Sequence, residues 1–290
     1  MQAELCFRAQ AQLGEGPVWD ERVNCLYWVD IMAGDLHSFC PATQQNRTWQ
    51  LGQPVGTAVL RQSGGLVLAL RDGFAFFDTD RGMLTPIADP EAHLPGNRFN
   101  DGRCDANGRF WAGTMALTMA RGAGALYRID PDLAVHTMLT GVTISNGIAW
   151  SQDQRTMYYV DTAPRTVTAF AFDAETGWMG NGRVILRIPA SMGYPDGMTI
   201  DRDGKLWIAH YDGGCVRRWD PETGKVLTAV QVAASKVTAC TFGGPDLNIL
   251  YITTAVQEMS AAQRAAEPLA GSLFARQMPY QGFPANRFAG

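Results

Sequence analysis

Apolar and polar residues alternate along this chain in many short runs, which is the period of strands with one buried face. The runs NCLYWVDI, GLVLALRD, RFWAGTM, TMYYVDT, KLWIAHYD and NILYITTA share it. One hairpin later each is followed by a second such run: DLHSFCP, FAFFDTD, GALYRIDPD, TVTAFAFD, CVRRWDPETG and GSLFARQ. Ahead of each pair, a glycine or small residue opens another apolar stretch: EGPVWDE, GTAVLRQ, DGRCDANG, NGIAWSQD, DGMTIDRDG and ACTFGGPD. These openings fall at positions 16, 56, 102, 147, 197 and 239, so they are 40, 46, 45, 50 and 42 residues apart. Turn residues such as ANG at 106–108 and RDG at 202–204 separate the runs, and Asn-Gly and Asp-Gly are strong hairpin signals. Four short strands per unit of about 45 residues is the pattern of a propeller blade. The expected fold is all-β: one six-bladed β-propeller domain over residues 1–290, with four-stranded antiparallel blades. The last unit lacks a strand, because the tail MPYQGFPANRFAG is too rich in Pro and Gly. The N-terminal ELCFRAQ alternates without a blade of its own, so it is expected to pair with the last unit and close the ring.

Composition narrows the function. The formal net charge of −4 gives no basic surface for nucleic acid or anionic lipid. MQAELCFRAQ has no basic segment followed by an apolar core, and no 18-residue apolar run exists, so a cytoplasmic, non-membrane protein is expected. The six cysteines form no CxxC pair, and six reduced thiols are expected. The four histidines are equally dispersed and offer no local His/Cys zinc pattern.

Candidate chemistry comes from the phase of the repeat. Glu15, Asn146 and Asp196 each stand one residue before the glycine that opens a unit, and Asn100-Asp101 stands at the same place in a fourth. Asn107-Gly108, Asp203-Gly204 and Asp72-Gly73 occupy another phase, inside hairpins, and read as ordinary turns. In a propeller the innermost strands border the central channel, so residues of one phase converge at one end of it. Two carboxylates and one or two amide oxygens gathered there repel one another unless a cation lies between them. All-oxygen donors suit Ca²⁺, Mg²⁺ or Mn²⁺, and Zn²⁺ also accepts carboxylates. Three or four protein ligands leave positions open for water or substrate. The same residues also suit a calcium-binding or ligand-binding propeller without turnover, or a hydrolase of another ester.

The stretches LGEGPVW, NRFNDGRCDANGRFWAGTM, GALYRID, GVTISNGIAWS, YYVDT, PDGMTIDRDGKLWIA and CTFGGPD, in this order, resemble the SMP-30/regucalcin/gluconolactonase family. The likeness covers nearly the whole chain, down to the terminal FAG. It implies a six-bladed propeller with one divalent metal in the channel mouth, held by Glu15, Asn146 and Asp196. It further implies that Arg98 and Asn100 contact substrate, and that Asp196 is the catalytic base. The activity implied is hydrolysis of sugar-acid lactones, such as gluconolactone, to aldonic acids; the partner is that small molecule. One stretch departs from the family: regucalcin-like members carry an acid shortly after GTM that contacts sugar hydroxyls. Here GTMALTMARGAG has no acid between Met115 and Gly124, and Thr118 lies near the equivalent place, so substrate preference does not carry over. Met115, Leu117 and Met119 read either as a cover of the site or as core, and Tyr194 as flanking the site or packing under its loop. His210 reads as an ordinary strand histidine before a substrate contact. Trp28, Trp111, Trp150 and Trp207 recur on strands and are expected to pack between blades.

Overall fold

Alternating runs that end at turn residues fold back on themselves as hairpins, and hairpins added in sequence build a meander. The computed structural model, which describes residues 1–290, contains six such meanders, each a four-stranded antiparallel sheet arranged as a propeller blade. The inner strands of blades 1 to 6 are Gly14–Asp20, Val55–Leu60, Asn97–Cys104, Ser145–Trp150, Tyr194–Ile200 and Val237–Gly243. In blades 1 to 5 the strands follow one another outward in chain order. Blade 6 takes three strands from the end of the chain and its outermost, Glu4–Phe7, from the beginning, with Glu4 opposite Ala275 and Leu5 opposite Phe274. This pairing covers the edge of Leu273–Gln277 and joins the first blade to the last.

The core lies between neighbouring blades. Trp28, Trp111 and Trp207 are fully buried, and Trp150 packs edge-on against Trp111, so the tryptophans do pack between strands and blades. Two of them show why CDANGRFW and IDRDGKLW look alike. Asp105 accepts the backbone N–H groups of Asn107 and Arg109, fixing its turn, and also accepts the Trp111 indole N–H at 3.0 Å. Asp201 does the same for Asp203, Lys205 and Trp207, with Arg218 completing the network at 2.7 Å. One aspartate thus shapes the turn and orients the tryptophan that fills the blade interface.

The C-terminal tail adds no strand and runs across one face of the ring. Gly282 N–H donates to Leu247 O, Asn286 Nδ2 to Cys104 O and Phe288 N–H to Leu60 O, so it touches blades 6, 3 and 2. Phe283, Pro284, Ala285 and Asn286 close that end of the channel beneath a cavity of about 340 Å³. The other end bears the residues discussed below.

The cysteines differ from expectation in one pair. Cys25 and Cys40 form a disulfide, while Cys6, Cys104, Cys215 and Cys240 are free. Register explains it: Leu26 pairs with Phe39, which sets the two cysteines opposite each other on adjacent strands with Cα atoms 4.3 Å apart. A 15-residue separation does not announce that neighbourhood. The short helix Ala261–Ala266 is capped by Ser260, and no helix is long and apolar enough to cross a membrane.

Removing residues 1–9 bares the edge of Leu273–Gln277. The expected outcome is a lower urea midpoint than the full chain, with self-association in light scattering, because an open strand edge pairs with other chains.

Candidate functional site

Every inner strand carries a register irregularity against its neighbour at the same point. It falls between Glu15 and Val18, Val55 and Thr57, Phe99 and Gly102, Asn146 and Ile148, Pro195 and Met198, and Val237 and Ala239. A bulge bends a strand and re-aims the side chain at the bend, so each blade presents one bulge residue at the same level. Glu15, Asn146 and Asp196 are those residues in blades 1, 4 and 5, and all three are buried. Gly16 takes φ +52°, a conformation glycine adopts without steric cost, and its N–H donates to Glu15 Oε2 at 3.0 Å. Gly197 serves close approach instead: a Cβ there would lie 2.5 Å from that of Ala239 in blade 6. The two glycines around the bulges therefore have different physical causes.

Blade 3 brings two further residues to the same level. Arg98 is buried and donates to Phe99 O at 2.9 Å and to Asn100 Oδ1 at 2.6 Å. Asn100 Nδ2 donates to Ser145 O at 2.7 Å, which ties blade 3 to blade 4 directly beside Asn146. Asp101, next in sequence, parts from Asn100 and lines the channel cavity on the tail side, together with Arg103.

The electrostatics are those of an uncompensated cluster. Burial, then the charges of Asp196 and Asp101, raises the Glu15 carboxyl well above its ordinary range. Burial and Asp101 do the same to Asp196, against the lowering effects of Asn146, the Gly197 N–H and Arg98. Arg98 is itself pulled down to about 10 by burial, which Glu15 and Asp196 oppose. Asn146 Oδ1 and Asp196 Oδ1 are buried and accept no hydrogen bond, although Asn146 Nδ2 donates to Thr162 at 3.0 Å. Buried acceptors without partners cost free energy and call for an explanation. A divalent cation among Glu15, Asn146 and Asp196 satisfies both orphaned oxygens and offsets both carboxylates, so the donor set fits such an ion. No group of three or more His, Cys, Asp or Glu side chains is positioned to hold a metal; this set has two carboxylates and an amide.

The remaining sequence candidates divide. Met115 is buried, whereas Leu117 and Met119 are 42% and 52% exposed, so only the first belongs to the core. Thr118 is exposed between them. His210 is fully buried: its Nε2 accepts the Trp219 indole N–H and its Nδ1 meets Met192 O at 3.0 Å. Burial and Arg217 lower its pKa to about 3, so it stays neutral inside the blade, where it stands opposite Pro195. Tyr194 is partly exposed beneath the Arg165 guanidinium, which sits 3.9 Å above its ring. Tyr211 escaped sequence reasoning. It stands opposite Tyr194, two residues ahead of Asp196, and its hydroxyl pKa is raised by burial, then by Glu258, Asp196 and Asp212. The signal available was the strand IAHYDGG, in which the histidine drew attention from its neighbour.

Fold and site together define a six-bladed propeller with a buried, oxygen-rich cluster toward one end of its channel. The family model described as "SMP-30/Gluconolactonase/LRE-like region" matches residues 13–256, and the chain belongs to that family. The chain is 37% identical over 290 residues to the Bacillus subtilis (strain 168) protein named "Putative sugar lactone lactonase YvrE", covering 100% of this chain and 99% of that one. It is 40% identical over 285 residues to regucalcin of Gallus gallus, covering 96% and 95%. Among solved structures, the calcium-binding protein regucalcin of Agrobacterium tumefaciens superposes with a TM-score of 0.95 at 29% identity, covering 99% and 97%.

The raised carboxyls give a pH dependence of definite sign. Both bind protons more tightly in the folded state, so stability without metal falls as pH rises from about 4 through their raised folded values. Added Ca²⁺ should raise Tm more at pH 7.5 than at pH 5, by about 5–10 °C at a hundredfold excess over Kd. Scanning fluorimetry measures both. Glu15→Gln should stabilise the metal-free protein at neutral pH and remove most of the Ca²⁺ response.

Proposed function

We propose that this chain hydrolyses a sugar-acid lactone, such as an aldonolactone, to the open acid, and that its activity depends on a divalent cation. One observation carries the reading. Two buried, unpartnered oxygens, Asn146 Oδ1 and Asp196 Oδ1, lie in one cluster with Glu15 and Arg98. The names borne by the Bacillus and regucalcin relatives support it. Glu15, Asn146 and Asp196 would hold the cation, which supplies Lewis-acid polarisation of the lactone carbonyl when bound.

The chain's own residues account for the rest. Asp196 accepts a proton from the attacking water as the water oxygen bonds to the carbonyl carbon. The ring C–O bond then breaks, and the departing alkoxide takes a proton back. Arg98 keeps unused N–H groups, its Nε among them, and these orient the substrate from the blade 3 side. Asn100, bonded on one side to Arg98 and on the other to Ser145 O, holds the arginine in register with blade 4. The tail-covered far end of the channel leaves the mouth as the face for substrate entry.

The test is acid release from a panel of pentono- and hexonolactones by chelator-stripped protein, with Ca²⁺, Mg²⁺, Mn²⁺ or Zn²⁺ restored singly. Each trace needs a no-protein blank. A metal-restored rate that Asp196→Ala lowers by about 100-fold or more is the expected result. Metal binding without turnover of any lactone overturns the hydrolase reading and leaves a cation-binding propeller.

A further inference from the structure

The channel mouth is rich in donors and poor in acceptors on its blade 3 side. Arg98 offers only N–H groups, and the Oδ1 and Nδ2 of Asn100 are both engaged within the protein. The neighbouring loop exposes Leu117 and Met119 and carries no acid. A polyhydroxylated ring presents O–H groups that need acceptors as well as donors.

Most acids on this face are committed elsewhere. Asp30 accepts the N–H groups of Gln12 and Leu13, and Asp161 those of Thr143 and Ile144. Glu91 binds Asn97, Thr114 and Tyr127. Asp212 pairs with Lys236 at 2.9 Å, and Glu267 accepts the Ser235 N–H. Glu258 differs from all of these. It is exposed, and its carboxylate has one contact, the Tyr211 hydroxyl at 3.4 Å.

The place of Glu258 is well determined. Val256 N–H donates to Ala11 O and Gln257 N–H to Gln12 O, which ties its turn to the segment leading into the strand that carries Glu15. The Tyr211 ring packs on the cluster containing Leu13 and Ala255, and the Lys236 ammonium lies 4.3 Å from its centroid. Tyr211 pairs with Tyr194 on the adjacent strand of blade 5, and Tyr194 lies two residues before Asp196. Tyr211 and Glu258 thus form a wall from blades 5 and 6, whereas Arg98 comes from blade 3.

Resting on the lactonase reading, we propose that Glu258 accepts hydrogen bonds from hydroxyl groups of the bound lactone and sets the preference for hydroxylated substrates, with Tyr211 as its positioning residue. The full-length, metal-loaded protein is assayed on a hexono-δ-lactone and on unsubstituted δ-valerolactone. A hexonolactam of the same hydroxyl pattern is titrated calorimetrically in parallel. Glu258→Ala should raise KM for the hexonolactone about tenfold with kcat within about twofold, weaken the lactam about tenfold, and leave valerolactone unaffected. Glu258→Gln should restore part of the loss, and Tyr211→Phe should shift KM the same way by about threefold. Equal losses on both lactones, or an unchanged lactam affinity, overturn the assignment. If the wild type opens neither lactone, the lactonase reading fails separately. The lactam titration then still decides: weakening by Glu258→Ala supports a hydroxyl-binding site, and no lactam binding or no weakening refutes it.

Discussion

Desolvated like charges are the constraint on which the site depends. Glu15 and Asp196 approach the channel from blades 1 and 5, shielded from water; the charge of Asp196 adds to the cost of ionising Glu15, and that of Asp101 to the cost of ionising both. A fold built for stability alone would place apolar residues or hydrogen-bonded pairs there. Arg98 offsets part of the charge, and its own lowered pKa records how expensive its burial is. What remains is a cluster with two orphaned oxygens, for which a divalent cation is the simplest complement.

The cluster rests on a device repeated in all six blades. The bulge in each inner strand bends the backbone at one level, so whatever residue occupies it is turned the same way. Blades 1, 4 and 5 place Glu, Asn and Asp at their bulges. At the same position blade 2 has Val55, followed by Gly56, where a Cβ would lie 2.6 Å from the Phe99 backbone, and blade 6 has Thr238. Repetition of geometry with variation of side chain lets a stable scaffold carry a strained polar site. The stability comes from elsewhere, from tryptophans locked between blades by Asp105 and Asp201 and from the strand that closes the ring.

The two ends of the channel have diverged for an equally physical reason. On one side the C-terminal tail hydrogen-bonds to the turns of several blades and closes the cavity. Away from the tail, Arg98 and Asn100 come from blade 3, and a phenol and a carboxylate, Tyr211 and Glu258, from blades 5 and 6.

Period, turn residues and the phase of Glu15, Asn146 and Asp196 were legible in the chain itself, because strand alternation and hairpin signals are local properties. The six blades and their four strands follow from them, as does the separation of the bulge residues from ordinary turns such as Asp203-Gly204. Tertiary structure alone decided the matters that depend on which distant strands meet. It set Cys25 against Cys40 through strand register, sent Asp101 away from Asn100 at a bulge, and enclosed His210 within its blade. It also brought Tyr211 to Glu258 across 47 residues, a contact between a strand end and a connection that has no counterpart in the repeat. A sequence records what each residue prefers beside its neighbours; closing the ring decides which of those residues face one another.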